Sequence, residues 1–547
     1  MSEPFDYVVI GAGSAGCVLA NRLTADGTTT VALLEAGGRD WNPWIHVPVG
    51  YFRTIHNPAT DWCYVTEPDP GLNGRALKWP RGRVLGGSSS INGLLYVRGQ
   101  RQDYDRWSEL GCAGWSHDEV LPFFRRAESN ERNRASGADE WHGHDGPLMV
   151  ANMRFRRPIC DDFIAGVEEL GTPRSDDING AEQEGVGYFQ LTAHRGRRCS
   201  SAVAYLRGAR KRPNLTILTQ AMVRRIEFEG TRAAGVRIVR RGVERVIRAG
   251  REIVLSAGAI GSPQILQLSG VGPAALLAGH GIDVVADSPD VGANLQDHLQ
   301  IRAVYKTRLP VTLNDELSNP ARKVRAGLEY ALRRSGPLSM AASQVYAFCR
   351  TRLANERPDI QYHFQPLSAD SPGEGLHPFS AITASVCQLR PESRGTIRIR
   401  SADPDEHPAI VPNYLSTELD RATAVEAVRF TRRIMATSAM RGHIAAELLP
   451  DPAAQSDEEL LDQARNIANT IYHPVGTCRM GADERAVLDP RLRVRGVQGL
   501  RVVDASIMPE IVSGNTNAPT IMIGERASDL ILEDARHEAS ACPPSIG

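Results

Sequence analysis

Cysteine is sparse and unpatterned in this chain of 547 residues. The nine cysteines, at positions 17, 63, 112, 160, 199, 349, 387, 478 and 542, are scattered and odd in number, and no two form a CxxC pair. This excludes a disulfide framework and a zinc site and points to a reducing compartment. No apolar run approaches the roughly 18 residues that a membrane-spanning helix needs. The start, MSEPFDYVVIGAGSAG, lacks a basic leader followed by an apolar stretch and a cleavage site, which argues against a secretion signal. A charge excess is missing too: the net charge is −1, too little to attract nucleic acid or an anionic membrane. Basic residues do cluster between Arg224 and Glu252, but they alternate with apolar ones, as in strands with one solvated face. No internal repeat is found. The expected location is cytoplasmic, with peripheral contact to the inner membrane left open. A hydrophobic content of 42% over this length is enough for a large core, and at about 100–200 residues per domain it suggests two or more domains.

What is present begins at the N-terminus. DYVVIGAGSAGCVLANRL, Asp6 to Leu23, reads as strand, tight turn and helix, with Gly11, Gly13 and Gly16 in a G-x-G-x-x-G array. The first glycine permits the turn, the second lets backbone approach a pyrophosphate, and the third lets helix and strand pack closely. A second strand, TVALLEAGG, ends in Glu35, whose carboxylate is placed for a ribose hydroxyl. Together these point to dinucleotide binding, without separating NAD from FAD. LTILTQAMVRRIEFEG (215–230) and REIVLSAGAIGSPQILQLSGVG (251–272) return to strand-like material, the second entering a helix. GLRVVDASIMP (499–509) reads as a buried strand ending in Asp504, which could serve a ribityl or pyrophosphate site or act only as a helix cap.

These segments, in order, resemble the glucose–methanol–choline family of FAD oxidoreductases over about residues 5–535. RGRVLGGSSSINGLLYVRG (81–99) is similar to the family's first signature and GAIGSPQILQLSGVG (258–272) to its second. VGANLQDH (291–298), YHPVGTCRMG (472–481) and SGNTNAPTIMIGERASDLI (513–531) resemble further blocks. The resemblance implies an α/β chain, α+β overall, with a Rossmann-type FAD-binding domain interleaved with a substrate domain built on an antiparallel sheet flanked by helices. The expected boundaries are 1–159, 214–298 and 461–535 for the first domain, 160–213 and 299–460 for the second, and 536–547 for a tail. It implies FAD contacts at Gly11, Gly13, Ser14 and Glu35, at Val84, Gly87, Asn92, Gly93 and Leu94, at Val223, and at Ala257, Asp504 and Ala505. Where choline oxidases carry a flavin-linked histidine, this chain has Ile91, so the FAD is expected to be non-covalent and dissociable.

His473 precedes a proline that biases it toward an extended conformation, and alone it would read as a hydrogen-bonded histidine in a turn. The resemblance implies instead a base facing the flavin N5 across the substrate. It places Asn517 as the partner that orients the alcohol oxygen, although Asn517 could be only the cap of a helix expected over Pro519–Leu532. An alcohol near pKa ~16 and an imidazole near ~6.5 differ by about 9 units, roughly 13 kcal/mol, so His473 alone cannot deprotonate the alcohol fully. A preorganised donor must carry the developing oxyanion, and an asparagine amide can do so.

Around the pocket, PDIQYHFQPLSAD (358–370) has Gln361, His363 and Gln365 on one strand face and Tyr362 and Phe364 on the other, with the substrate-facing side undecided. Residues 41–75 are rich in aromatics, Pro and Gly, as an entrance lid or an FAD-covering loop would be. WHGHDGPL (141–148) offers His142, His144 and Asp145 but reads as a turn rather than a metal site. The end, EASACPPSIG, is expected to be poorly ordered. The expected function is FAD-dependent oxidation of a primary alcohol to the aldehyde. Electrons would pass to a quinone-like acceptor or to oxygen, the dehydrogenase being favoured. Choline dehydrogenase and a non-redox hydroxynitrile-lyase-like protein are the alternatives. No nucleic-acid partner is expected and the oligomeric state is not legible.

Overall fold

The structure is a computed structural model that describes residues 3–133, 137–370 and 375–541. In the first half of the chain the strands of the two large sheets are β1 (Phe5–Ile10), β2 (Val31–Glu35), β3 (Gly185–Tyr188), β4 (Leu215–Thr219), β5 (Ala221–Glu229), β6 (Arg232–Arg240) and β7 (Val243–Leu255). In the second half they are β8 (Leu299–Thr307), β9 (Val345–Cys349), β10 (Ile360–Gln365), β11 (Ala381–Gln388), β12 (Ile444–Leu449), β13 (Ala468–Thr470) and β14 (Leu500–Val502). The helices used below are α1 (Ser14–Leu23), α2 (Pro158–Glu169), α3 (Gly258–Leu268), α4 (Pro320–Arg333), α5 (Glu418–Ala436) and α6 (Asn517–Ala541).

One sheet runs β4-β2-β1-β7-β6-β5, with β14 also on β7. Its centre is parallel: Ile10 lies opposite Leu34 on one side and Leu255 on the other. Val8, Val9, Leu33 and Val254 are fully buried there, as a parallel sheet covered on both faces requires. β7 is shared between two pairings. Its first half is antiparallel to β6 and its last residues are parallel to β1. The exposed arginines of the 224–252 run lie on the antiparallel strands β5–β7, for example Arg225 on β5 and Arg245 on β7.

The second sheet is antiparallel, in the order β12-β8-β11-β10-β9-β3, with β13 also on β8. α2 and α5 flank it. Phe163 of α2 stacks on Phe364 with ring centroids 4.1 Å apart, and the Tyr362 hydroxyl lies 2.9 Å from Thr431 of α5. Tyr362 and Phe364 therefore face the helices, which leaves Gln361, His363 and Gln365 on the opposite side.

α6 extends nine residues beyond the expected Leu532, to Ala541. The last part of the tail, 542–547, lies outside the described residues. Among the described residues no helix is long and apolar enough to cross a membrane.

Candidate active site

The glycine turn between β1 and α1 is fixed by contacts that admit no side chain. Gly11 sits at φ +97°, and a Cβ there would lie 2.4 Å from the Ser256 carbonyl oxygen. At Gly16 a Cβ would come within 1.9 Å of the Gly11 oxygen, so α1 can approach β1 only without one. A Cβ at Gly13 would meet nothing closer than the Ser256 oxygen at 3.9 Å, and this backbone opens onto a cavity that Ser14 and Ala15 also line. The helix N-terminus thus offers N–H groups where a pyrophosphate would lie. Glu35 lies at the same end, with its oxygens accepting from Ala12 N (3.0 Å) and Gly37 N (2.8 Å). Burial nevertheless pushes its carboxyl up to about 7.

The same cavity is lined by Val223 and Ala257, by Gly87, Asn92, Gly93 and Leu94, by Asp504 and Ala505, and by His473 and Asn517. Asp504 acts as a cap, accepting from Ser506 N at 2.8 Å, and also grips the start of α3 through Gly258 N (2.9 Å) and Ser262 (2.6 Å). One expected contact is not brought to the wall. Val84 is buried in the core and bridges Gly38 through its backbone. Ile91 is on the wall and offers no nucleophile. The loop at Asn92 is held by buried Arg198, which donates to the Asn92 side-chain oxygen and carbonyl at 2.6 Å each. Nothing in the local sequence signalled that arginine. The wall therefore has the N–H cradle and the ribose-end carboxylate that an FAD molecule requires.

His473 lies at the far end, 7% exposed. Its backbone N–H donates to Asp297 at 2.7 Å, and Asp297 also accepts from Thr470 at 2.6 Å and from the Tyr414 hydroxyl. Tyr472 takes a left-handed φ of +69°, and its carbonyl accepts from Arg81. The ring is held as tightly as the backbone. His473 Nδ1 is 3.0 Å from His298 Nδ1, and His298 Nε2 is 2.9 Å from the Leu389 carbonyl.

A carbonyl can only accept, so His298 carries its proton on Nε2, and its Nδ1 accepts from His473 Nδ1–H. The lone pair of His473 is thereby left on Nε2, pointing into the cavity. Burial holds both rings neutral: His298 is pushed down to about 4, and His473 well below the ordinary histidine value by burial, with His298, His363 and Arg81 adding to the shift.

The amide facing that lone pair is Asn515, not Asn517. Asn515 Nδ2 donates to His473 Nε2 at 3.1 Å, and its oxygen accepts from Gln361 Nε2 at 3.3 Å. Asn517 begins α6 and accepts from Ser14 at 2.8 Å, which ties α6 to α1. This corrects the expected partner: the two asparagines are two residues apart at the mouth of a helix, where successive side chains diverge. The VGANLQDH block was noted only for its resemblance, yet it supplies Asp297 and His298.

Gln300 and Arg302 of β8 and His363 and Gln365 of β10 line the cavity beyond His473, so the polar face of 358–370 meets it. From 41–75, Tyr51, Ile55, Trp62 and Tyr64 also form wall. His142 is buried elsewhere, with its two ring nitrogens 2.9 Å from Glu128 and 2.8 Å from Asp177.

Residues 5–300 and 391–524 each match the GMC oxidoreductase family. The chain is 42% identical to an alcohol dehydrogenase [acceptor] of Pseudomonas putida over 99% of its own length and 98% of that protein's. It is 44% identical to the oxygen-dependent choline dehydrogenase of Brucella canis, covering 96% and 95% of the two chains. Among solved structures it resembles pyridoxine 4-oxidase from Mesorbium loti (TM-score 0.87, 34% identity, 97% and 99% coverage). It also resembles a formate oxidase variant of Aspergillus oryzae (TM-score 0.91, 26% identity, 98% and 99% coverage). The chain belongs to the GMC oxidoreductase family.

Proposed function

We propose that this protein uses non-covalently bound FAD to oxidise a primary alcohol to the aldehyde, with His473 as base and Asn515 as the donor to the alcohol oxygen. FAD bound along the glycine turn and the Asn92 loop supplies the hydride acceptor. The observation that carries this reading is the chain Leu389 carbonyl–His298–His473, which leaves an unprotonated Nε2 beside an amide N–H. An alcohol hydroxyl inserted between them donates to Nε2 and accepts from Asn515. The burial that keeps His473 neutral also makes it a weak base, so proton and hydride must leave together. Gln361 fixes the amide orientation and Asp297 fixes the backbone of the base. Kinship with an alcohol dehydrogenase supports the substrate class.

For the electrons we favour a quinone in a membrane over oxygen. The support is α4, whose buried residues Ala326 and Tyr330 lie opposite an exposed apolar stripe of Val324 (63% exposed), Leu328 (58%) and Leu332 (82%). Arg322, Lys323, Arg325 and Arg333 flank that stripe, which suits the surface of an anionic bilayer. Choline is the second reading for the alcohol, supported by the kinship with choline dehydrogenases. The reaction is tested by anaerobic mixing with primary alcohols in the dark. Bleaching of the flavin band is expected, and an unbleached yellow protein across the panel would turn the reading toward a lyase.

A further inference from the structure

Among the described residues, the substrate end of the cavity holds a cation with no carboxylate partner. Arg302 is 6% exposed and lies on the cavity wall. Among the described residues no carboxylate pairs with it, and its single hydrogen bond runs from Nη2 to the Ala369 carbonyl at 3.5 Å, a long contact. Other buried arginines are treated differently. Arg98 meets Glu128 at 2.7 Å, and Arg501 meets Glu252 at 2.6 Å and Asp534 at 2.7 Å. Arg198 has four close oxygen partners. Arg81, also on the wall, donates to the Pro80 and Tyr472 carbonyls and has Asp61 and Asp297 near it.

A guanidinium stays charged and offers five N–H donors in a planar fork, so a buried one with a single weak acceptor is a costly arrangement that a ligand can relieve. Its surroundings are also incomplete. Ser385 of β11 pairs in register with both Arg302 and His363, and its buried hydroxyl has no hydrogen-bond partner. The acidic side chains on the cavity wall, Glu35 and Asp504, are both at the nucleotide side and accept from backbone N–H groups.

We propose that Arg302 binds a carboxylate at the far end of the alcohol substrate, making the preferred substrate a hydroxy acid whose primary hydroxyl reaches His473. This rests on the alcohol-oxidation reading above. The planar fork matches two carboxylate oxygens, a fit that a point cation does not offer. Arg302 and His473 line the same cavity, so one substrate can present its hydroxyl to the base and its carboxylate to the guanidinium. The same charge opposes a quaternary ammonium alcohol such as choline.

The test uses FAD-loaded protein, mixed anaerobically with ω-hydroxy acids and with neutral primary alcohols of equal chain length. The expected ratio of flavin-reduction efficiency, hydroxy acid over neutral alcohol, is tenfold or more in the wild type. It falls to about one in R302Q and is partly restored in R302K. Retention of the flavin band shows that each variant is folded. A wild-type ratio at or below one, or a ratio unchanged in R302Q, overturns the proposal.

Pentanoate, which cannot be oxidised at an alcohol carbon, separates this proposal from the reading beneath it. Perturbation of the flavin band by pentanoate in wild type but not in R302Q supports the carboxylate site even if no alcohol bleaches the flavin, in which case the oxidation reading falls alone. Bleaching by neutral alcohols with no pentanoate binding sinks the Arg302 proposal alone. Inorganic phosphate displacing pentanoate at equal concentration overturns the assignment to a carboxylate.

Discussion

Two asparagines separated by one threonine do different work. Asn515 faces His473 Nε2 and Asn517 faces Ser14. Replacing Asn515 by alanine removes a donor to the developing oxyanion, and the flavin-reduction rate is expected to fall about 10²–10³-fold. Asn517→Ala instead loosens the contact between α6 and α1 beside the cofactor, so weaker FAD retention is the expected effect. Stopped-flow reduction and FAD titration on both variants separate the two roles, and the reverse pattern would return the substrate contact to Asn517. The proposed role of His473 as base carries a pH response. A base must be neutral to act, and the His473 pKa is pushed well below the ordinary histidine value. The reductive rate should therefore stay level through neutral pH and decline only in acid, as the ring gains its proton. A steep rise centred on or above ~6.5 would contradict that environment.

At the scale of elements, the strand–turn–helix at the N-terminus was legible because its logic is local. Gly11, Gly13, Gly16 and Glu35 lie within 25 residues, and each meets a demand of one turn. The face of β10 that meets the cavity was not legible, since alternation gives two faces and only packing on α2 and α5 selects one. His298 and Arg198 escaped for the same reason. Their roles come from neighbours 91 and 106 residues away in the chain, at Leu389 and Asn92. Asn515 escaped because the path of the chain into α6 decides which of two similar amides turns inward. The Asn92 loop carries its own prediction. With Ile91 on the cavity wall, acid precipitation should leave a colourless pellet and intact FAD in the supernatant, and a yellow pellet would reveal a covalent link.

Across the whole molecule the cavity joins distant parts of the chain. The glycine turn comes from the N-terminus, the polar floor from the antiparallel sheet, and the proposed base and amide from His473 and Asn515. The outer surface presents the apolar stripe of α4. Vesicles containing anionic lipid should sediment the protein, zwitterionic vesicles should do so less, and Leu328→Asp with Leu332→Asp should abolish sedimentation. Equal binding by that double variant would remove α4 from the account.

The most direct test of the central claim is the anaerobic single-turnover rate of flavin reduction by a primary alcohol, in wild type and in His473→Ala, both FAD-loaded. The loss of a general base predicts a fall of about 10²–10⁴-fold with the oxidised flavin band intact before mixing. Reduction of the variant at the wild-type rate would show that the alcohol proton leaves by another route and would contradict the account.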